Sequence, residues 1–407
     1  MKNSLIKKWK DHILVFLLII LSGSPTLGNP FVFATFGIIA LSYSFLKTSY
    51  YERIDLWNYL LILCSIFVFQ YFVLGAVSYL GSLNMLLKIV FGATVMWVLK
   101  DRFRYVFLNV MFFFAAISLV FYALCQIGFV IPNLFDVGIN NRSIFLFVLN
   151  MTTIERNCGP FWEPGAYGCY LILVPLLFLN NLNWLIKSNK TRSVILLLAI
   201  ITTLSTTTYI CFAFIGLYYA LIKVKNKFLV YIFIFPFLVY GIYCSFFEFD
   251  FLGKKILEQA ENVKDQGNAF SNTRFGSFTF DLHYIKKHPL VGNGLIEKTR
   301  YADHPFLWGK SLGHGNGFSN YLAQIGIIAM LLYLFLMYKK IPFRKKDVVF
   351  FLFIIILLLQ GEQLLNYPLY LSLPFVIYKK QKSRYLSKKR RIVCSKIKED
   401  LCVYVAK

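Results

Sequence analysis

SVILLLAIITTLSTTTYICFAFIGLYYALI, Ser193–Ile222, runs for thirty residues without a charge. As one helix at 1.5 Å per residue it would be about 45 Å long, against a hydrocarbon core of about 30 Å. Arg192 stands before it, and Lys223, Lys225 and Lys227 stand after it. Basic clusters mark the cytoplasmic flank of a membrane span. With both flanks on one side, the stretch must enter and return as two short helices. Ser205-Thr206-Thr207-Thr208 marks the break, because hydroxyls can bond backbone groups freed at a bend inside a membrane.

The rest of the chain fits a membrane protein. Of 407 residues, 58% are hydrophobic and 15% charged, and the mean hydropathy is +0.62. A soluble domain needs no such apolar excess, so the chain is read as an all-α polytopic membrane protein. Twelve apolar segments are expected, near 12–27, 31–46, 56–75, 78–99, 105–130, 164–182, 193–207, 208–222, 228–248, 316–338, 347–363 and 366–378. The first has the Lys-rich start of a signal peptide but no A-x-A-like cleavage site, so it is kept as a helix. Residues 1–378 form one transmembrane domain with a periplasmic loop at about 249–315, and 379–407 form a basic cytoplasmic tail. The segments expected on the cytoplasmic side carry 31 Lys and Arg, and the two long outer loops carry 11. Both termini are therefore expected in the cytoplasm. The net charge of +24 falls in short clusters between spans, which speaks for topology and contact with anionic lipids rather than for nucleic acid. Eight cysteines lie mostly inside spans, without a CxxC pair, and predict neither a metal site nor a disulfide framework.

Chemistry concentrates outside the spans. RNCGPFWEPGA, Arg156–Ala166, sets a cation and a carboxylate among two prolines, two glycines and two aromatics. Pro160 and Pro164 fix φ, Gly159 and Gly165 permit turns, and Pro164 suits the first turn of a helix. A stiff loop holding Arg156 and Glu163 at the membrane boundary suits interfacial chemistry. It equally suits a re-entry turn in which the two residues pair with each other. The loop 249–315 holds four of the five histidines, with Arg274 opening a helix of spacing Phe275, Phe278, Leu282 and Ile285. That helix is expected on the membrane surface and ends at HPLVGNG, His288–Gly294. Gly313-His314-Gly315-Asn316-Gly317 leads into the tenth span, with Asn320 one to two turns later. Lys88 interrupts a span, where a cation is functional unless it snorkels. Glu362 ends the eleventh span as a cavity-facing acceptor or a boundary residue.

The run Arg156-x-x-Gly-x-Phe-Trp-Glu163-Pro-Gly-Ala166 resembles the motif of Wzy-type O-antigen polymerases. The hydroxyl-rich break at 205–208 is similar to theirs, as is the block Arg274, His288-Pro-Leu-Val-Gly-Asn-Gly294, His314, Asn320 and Gly326-Ile327. The resemblance covers most of 150–335 by motif and the rest by architecture. It implies a glycosyltransferase at the periplasmic face of a bacterial inner membrane, joining undecaprenyl-diphosphate-linked repeat units into a surface polysaccharide. Donor and acceptor are then both lipid-linked glycans, and a chain-length regulator protein is an implied partner. Glu163 or His314 would take the proton from the attacking hydroxyl. Arg156 and Arg274 would hold the departing diphosphate, so no metal or other cofactor is implied. Lys88, Glu362 and Asn320 are candidates to line the cavity.

Two other functions fit the same sequence. O-antigen ligases share the architecture, a loop arginine and a loop histidine, and the Phe-Trp-Glu-Pro-Gly run favours the polymerase. A lipid-linked oligosaccharide flippase or other transporter would suit twelve spans with both ends inside and Lys88 as a gating charge. The large outer loop and the lack of visible repeats stand against it. A structural partner in polysaccharide assembly has no positive sign in the sequence.

Overall fold

A computed structural model describes residues 2–25, 30–47, 50–76, 78–130, 132–134, 141–144, 146–151, 154–223, 274–304, 315–341 and 343–376. The expected ninth span, most of the outer loop with His314, and the basic tail lie outside the described residues. Those described are mostly helical. In chain order the helices are α1 (Lys2–Leu21), α2 (Pro30–Lys47), α3 (Tyr50–Leu74), α4 (Tyr79–Leu99), α5 (Phe103–Gln126), α6 (Pro164–Leu177), α7 (Leu182–Ser188), α8 (Lys190–Thr202) and α9 (Thr206–Lys223). After the gap come α10 (Arg274–Lys287), α11 (Glu297–Arg300), α12 (Gly317–Lys340), α13 (Lys345–Gly361) and α14 (Pro368–Ser372). The all-α expectation needs one small correction. Strands β1 (Asn141–Ser143) and β2 (Val148–Asn150) pair antiparallel in the loop before α6, with Arg142 opposite Leu149.

Among the described residues, three helical stretches are long and apolar enough to cross a membrane: Ile54–Leu74, Tyr79–Gln126 and Gly317–Lys340. The second is α4 and α5 joined through a 3-10 turn, Lys100–Arg102, where Lys100 has φ +50°. Arg102 in that turn pairs with Asp11 of α1. A fourth candidate is α6 with the segment Leu179–Ser188, bent by 53°. Pro175 lies at the bend, where it removes a helix hydrogen bond. Large apolar side chains stand exposed along these helices, among them Phe72, Leu80, Leu331 and Phe335. Such a surface in water would be a large apolar patch, and lipid is the solvent it fits.

The break in Ser193–Ile222 is present. Helix α8 ends at Thr202, and α9 begins at Thr206. Leu204 between them has φ +46°. The chain doubles back, since Tyr209 near the start of α9 donates to Ile201 O at 2.5 Å.

One expectation fails. The described part of the expected twelfth span, 366–376, is not one continuous helix. A 3-10 turn at Leu364–Asn366 is followed by α14, five residues long, and a second 3-10 turn at Leu373–Phe375. Pro368 and Pro374 start the last two pieces and cannot continue a helix from before them. The segment is buried, and its Pro368 carbonyl lies 2.6 Å from where a Cβ at Gly92 of α4 would be. On α10, Ser277, Phe280, Asp281 and Tyr284 are buried in protein, while Phe278, Leu282 and Ile285 are half-buried. Asp281 finds its partner on α12, as described below.

Helix α12 carries a kink at Gly326, with φ 85° and ψ 176°. The HPLVGNG turn fills the gap. Ile327 N donates to Pro289 O at 2.9 Å, Asn293 N to Ala323 O at 2.8 Å and Gly294 N to Gln324 O at 3.0 Å. Gln70 of α3 donates to both Val291 O and Gln324 O, at 2.5 and 2.8 Å. A break inside a span is thus satisfied by another segment's backbone. Gly326→Ala places a side chain in a glycine-only region, at roughly 1–3 kcal/mol. Its Cβ would also lie 2.2 Å from Leu290 O. A lowered melting temperature of the detergent-solubilised variant is expected, and an unchanged melt would contradict this packing.

Candidate functional site

The loop before α6 is held rigidly. Asn157 anchors it: its N donates to Thr202 O at 2.9 Å, and its Nδ2 donates to Ser118 Oγ and Thr202 Oγ1 at 3.2 and 3.0 Å. Gly159 turns the chain with φ +53°, directly over the Tyr167 ring. Phe161 stacks on Tyr170 at 4.2 Å, and Trp162 stacks on Tyr367 at 4.8 Å. The loop therefore delivers Glu163 to a fixed place, extended, as the residue before Pro164 opens α6.

Glu163 meets Glu362 there. Glu362 follows α13, outside the helix in extended conformation, and is 7% exposed. The two carboxyl groups share a hydrogen bond. Arg274 and Arg156 lie near enough to act on Glu362 electrostatically.

Glycines make the approach possible. A Cβ at Gly165 would lie 2.2 Å from Glu362 Oε1, and one at Gly317 would lie 2.0 Å from Glu362 O. One at Gly361 would meet Thr207 at 2.8 Å. The first turns of α6, α9 and α12 therefore gather around the end of α13. Arg274 adds a fourth helix start, because α10 begins with it. Its Nη1 donates to Thr207 Oγ1 at 2.6 Å and lies 3.4 Å from Thr206 Oγ1. Arg156 Nε donates to Thr203 O at 3.2 Å. Both guanidiniums are thus pinned to the α8–α9 break, within electrostatic reach of the two carboxyls. Helix N-termini carry partial positive charge and free amides, so four of them with two guanidiniums make a field suited to a large anion.

The structure brings Arg156, Glu163, Arg274 and Glu362 together. Arg156 and Glu163 do not simply pair with each other: Nε of the first goes to a carbonyl, and the carboxyl of the second goes to Glu362. Lys88 and Asn320 make contacts of their own. Lys88 Nζ donates to Asn366 O at 2.9 Å, at the turn between α13 and α14. Asn320 is buried and accepts from Gln324 Nε2 at 3.2 Å, beside the α12 kink. His314 lies outside the described residues. Its neighbour Gly315 donates from N to Ser277 Oγ at 3.0 Å, one turn beyond Arg274. Sequence reasoning missed Thr206 and Thr207 as anchors of Arg274. It also missed the buried network in which Ser319 donates to Asp281 at 2.5 Å and to Asn316 Oδ1 at 3.0 Å. Ser277 and Asp281, one turn apart on α10, were the signal for that network.

Residues 193–334 match a family model described as O-antigen ligase. This match supports membership of the chain in the O-antigen ligase/polymerase superfamily. The matched region contains the α8–α9 break, Arg274, His314 and Asn320. Arg156, Glu163 and Glu362 lie outside it. No curated protein and no solved structure matches the chain. The apolar helices suit a membrane protein, and over this third of its length the chain is similar to the O-antigen ligase family.

Proposed function

We propose that this chain is a polymerase that joins polyprenyl-diphosphate-linked repeat units at the periplasmic face of a bacterial inner membrane. The observation that carries the reading is the meeting of one carboxyl pair and two guanidiniums at four helix starts. Glycosyl transfer from a diphosphate needs these parts. The acceptor hydroxyl attacks the anomeric carbon, its proton passes to the Glu163 carboxylate, and the anomeric C–O bond breaks toward the diphosphate. Glu362, hydrogen-bonded to Glu163, holds that carboxylate in place. Arg156, Arg274 and the helix amides hold the charge that grows on the leaving diphosphate. No step of this scheme requires a metal ion.

The family description favours a second reading, transfer of the finished glycan to another acceptor as a ligase. A deletion strain separates the two. Retention of core bearing a single repeat unit, with loss of the long ladder, means polymerase. Loss of all repeat-bearing core means ligase or flippase.

The proposed topology places the N-terminus in the cytoplasm and 249–315 outside. It predicts that a cysteine placed at Ser271 reacts with a membrane-impermeant maleimide in cells with a permeabilised outer membrane. Labelling only after inner-membrane lysis would reverse the orientation.

A further inference from the structure

A cavity lies at the far end of the helices that carry the site. It has a volume of about 540 Å³ and is walled by α6, α7, α8 and α9. The bend at Pro175 opens it, because α7 turns 53° away from the axis of α6 instead of filling the space. Gly216 of α9 keeps it open: a Cβ there would meet nothing within 4 Å. The wall is otherwise apolar, with Leu171, Val174, Leu196 and Phe212 among its residues, and the exposed Val194 and Leu197 form part of its rim. The cavity therefore communicates with the surface that lipid covers.

Its mouth is chemically different. Lys187 and Lys190 line it and are exposed. Lys190 is also the first residue of α8, whose Asn189 N-cap makes no side-chain capping bond. Asn189 Nδ2 is buried without a hydrogen-bond partner among the described residues. Two cations, uncapped helix amides and an unsatisfied amide donor at the end of an apolar slot match a phosphate attached to a hydrocarbon chain. The opposite ends of the same two helices hold Arg156 through Thr203, and Arg274 through Thr206 and Thr207.

We propose that this slot binds one acyl chain of an anionic phospholipid, with the lipid phosphate against Lys187, Lys190 and the start of α8. The bound lipid then fills the space between α8 and α9 and stiffens the hairpin that positions both arginines. It enters from the leaflet opposite the acid–arginine cluster. Nothing in this binding depends on which acceptor the reaction uses.

The test is native mass spectrometry of the full chain, released from micelles loaded with equal amounts of palmitoyl-oleoyl phosphatidylglycerol and phosphatidylcholine. Each lysine near a bound anionic lipid changes its affinity by roughly fivefold. Retention of phosphatidylglycerol over phosphatidylcholine by about tenfold or more is expected. Lys187→Glu with Lys190→Glu should abolish that preference, while Lys345→Glu with Lys346→Glu should leave it intact. Gly216→Phe should lower retention of both lipids by filling the slot. Equal retention of the two lipids by the unaltered chain overturns the proposal. So does a preference that survives the Lys187 and Lys190 reversals. Displacement of phosphatidylglycerol by polyprenyl phosphate at equal concentration would assign the slot to the lipid tail of a substrate and overturn it as well.

Discussion

Glu163→Gln is expected to abolish polymer while leaving the protein folded and inserted. Glutamine keeps the size of the side chain and can still hydrogen-bond Glu362, but it cannot take a proton. Loss of a positioned general base costs on the order of 10²- to 10⁴-fold in rate. The variant keeps the shape and the hydrogen bond to Glu362, so the melting temperature should hold. That combination, activity lost and stability kept, separates a base from a structural partner. Glu362→Gln is expected to be much milder. In the proposed scheme Glu362 positions Glu163, and an amide can make the same hydrogen bond. Surface polysaccharide ladders of the two variants, beside melts of the purified proteins, make the comparison. A normal ladder in Glu163→Gln removes Glu163 from the reaction and leaves His314 as the candidate base. Equal loss in both variants would mean that the pair's shape, rather than a base at Glu163, is what matters.

The parts of this site that were legible in the sequence are those fixed by local rules. Ser193–Ile222 had to break because its length exceeded a bilayer, and the hydroxyl cluster said where. Glu163 sits at a helix start because Pro164 does. Arg274 opens a helix because a helical pattern begins there. The meeting of Glu163 with Glu362 had no local signal. It depends on Gly165, Gly317 and Gly361 letting three helix ends approach, and each glycine alone reads as an ordinary turn residue. The 366–378 segment was misread for the opposite reason. Its hydropathy suits a span, but Pro368 and Pro374 divide it into single turns. On α10 the apolar pattern gave no sign of the face that packs on protein, where buried Asp281 and Ser277 are held by Ser319 and the Gly315 amide. Hydrophobic periodicity cannot register a polar residue that has found a partner.

Arg274→Lys is expected to be nearly as damaging as removal of the charge. One terminal nitrogen of the guanidinium, Nη1, is committed to Thr207 at 2.6 Å and faces Thr206 at 3.4 Å. Nε and Nη2 make no hydrogen bond to another described residue, so one planar group can be oriented by protein on one side and grip a phosphate on the other. Lysine has a single nitrogen. It can satisfy the threonines or reach the anion, and its compact charge does not reproduce a two-pronged contact. A charge-assisted hydrogen bond of this kind contributes roughly 1.5–3 kcal/mol. If the contact forms fully only as the diphosphate departs, that corresponds to a loss on the order of 10- to 150-fold in rate. Thr206→Val with Thr207→Val should give a smaller loss, because the guanidinium survives but is no longer aimed. In vitro turnover of a lipid-diphosphate-linked repeat unit, at saturating donor, reads both effects. Wild-type turnover by a stably expressed Arg274→Lys variant would mean that Arg274 contacts membrane phosphates rather than the donor. The anion site at the α8–α9 break would then rest on Arg156 and the helix amides alone.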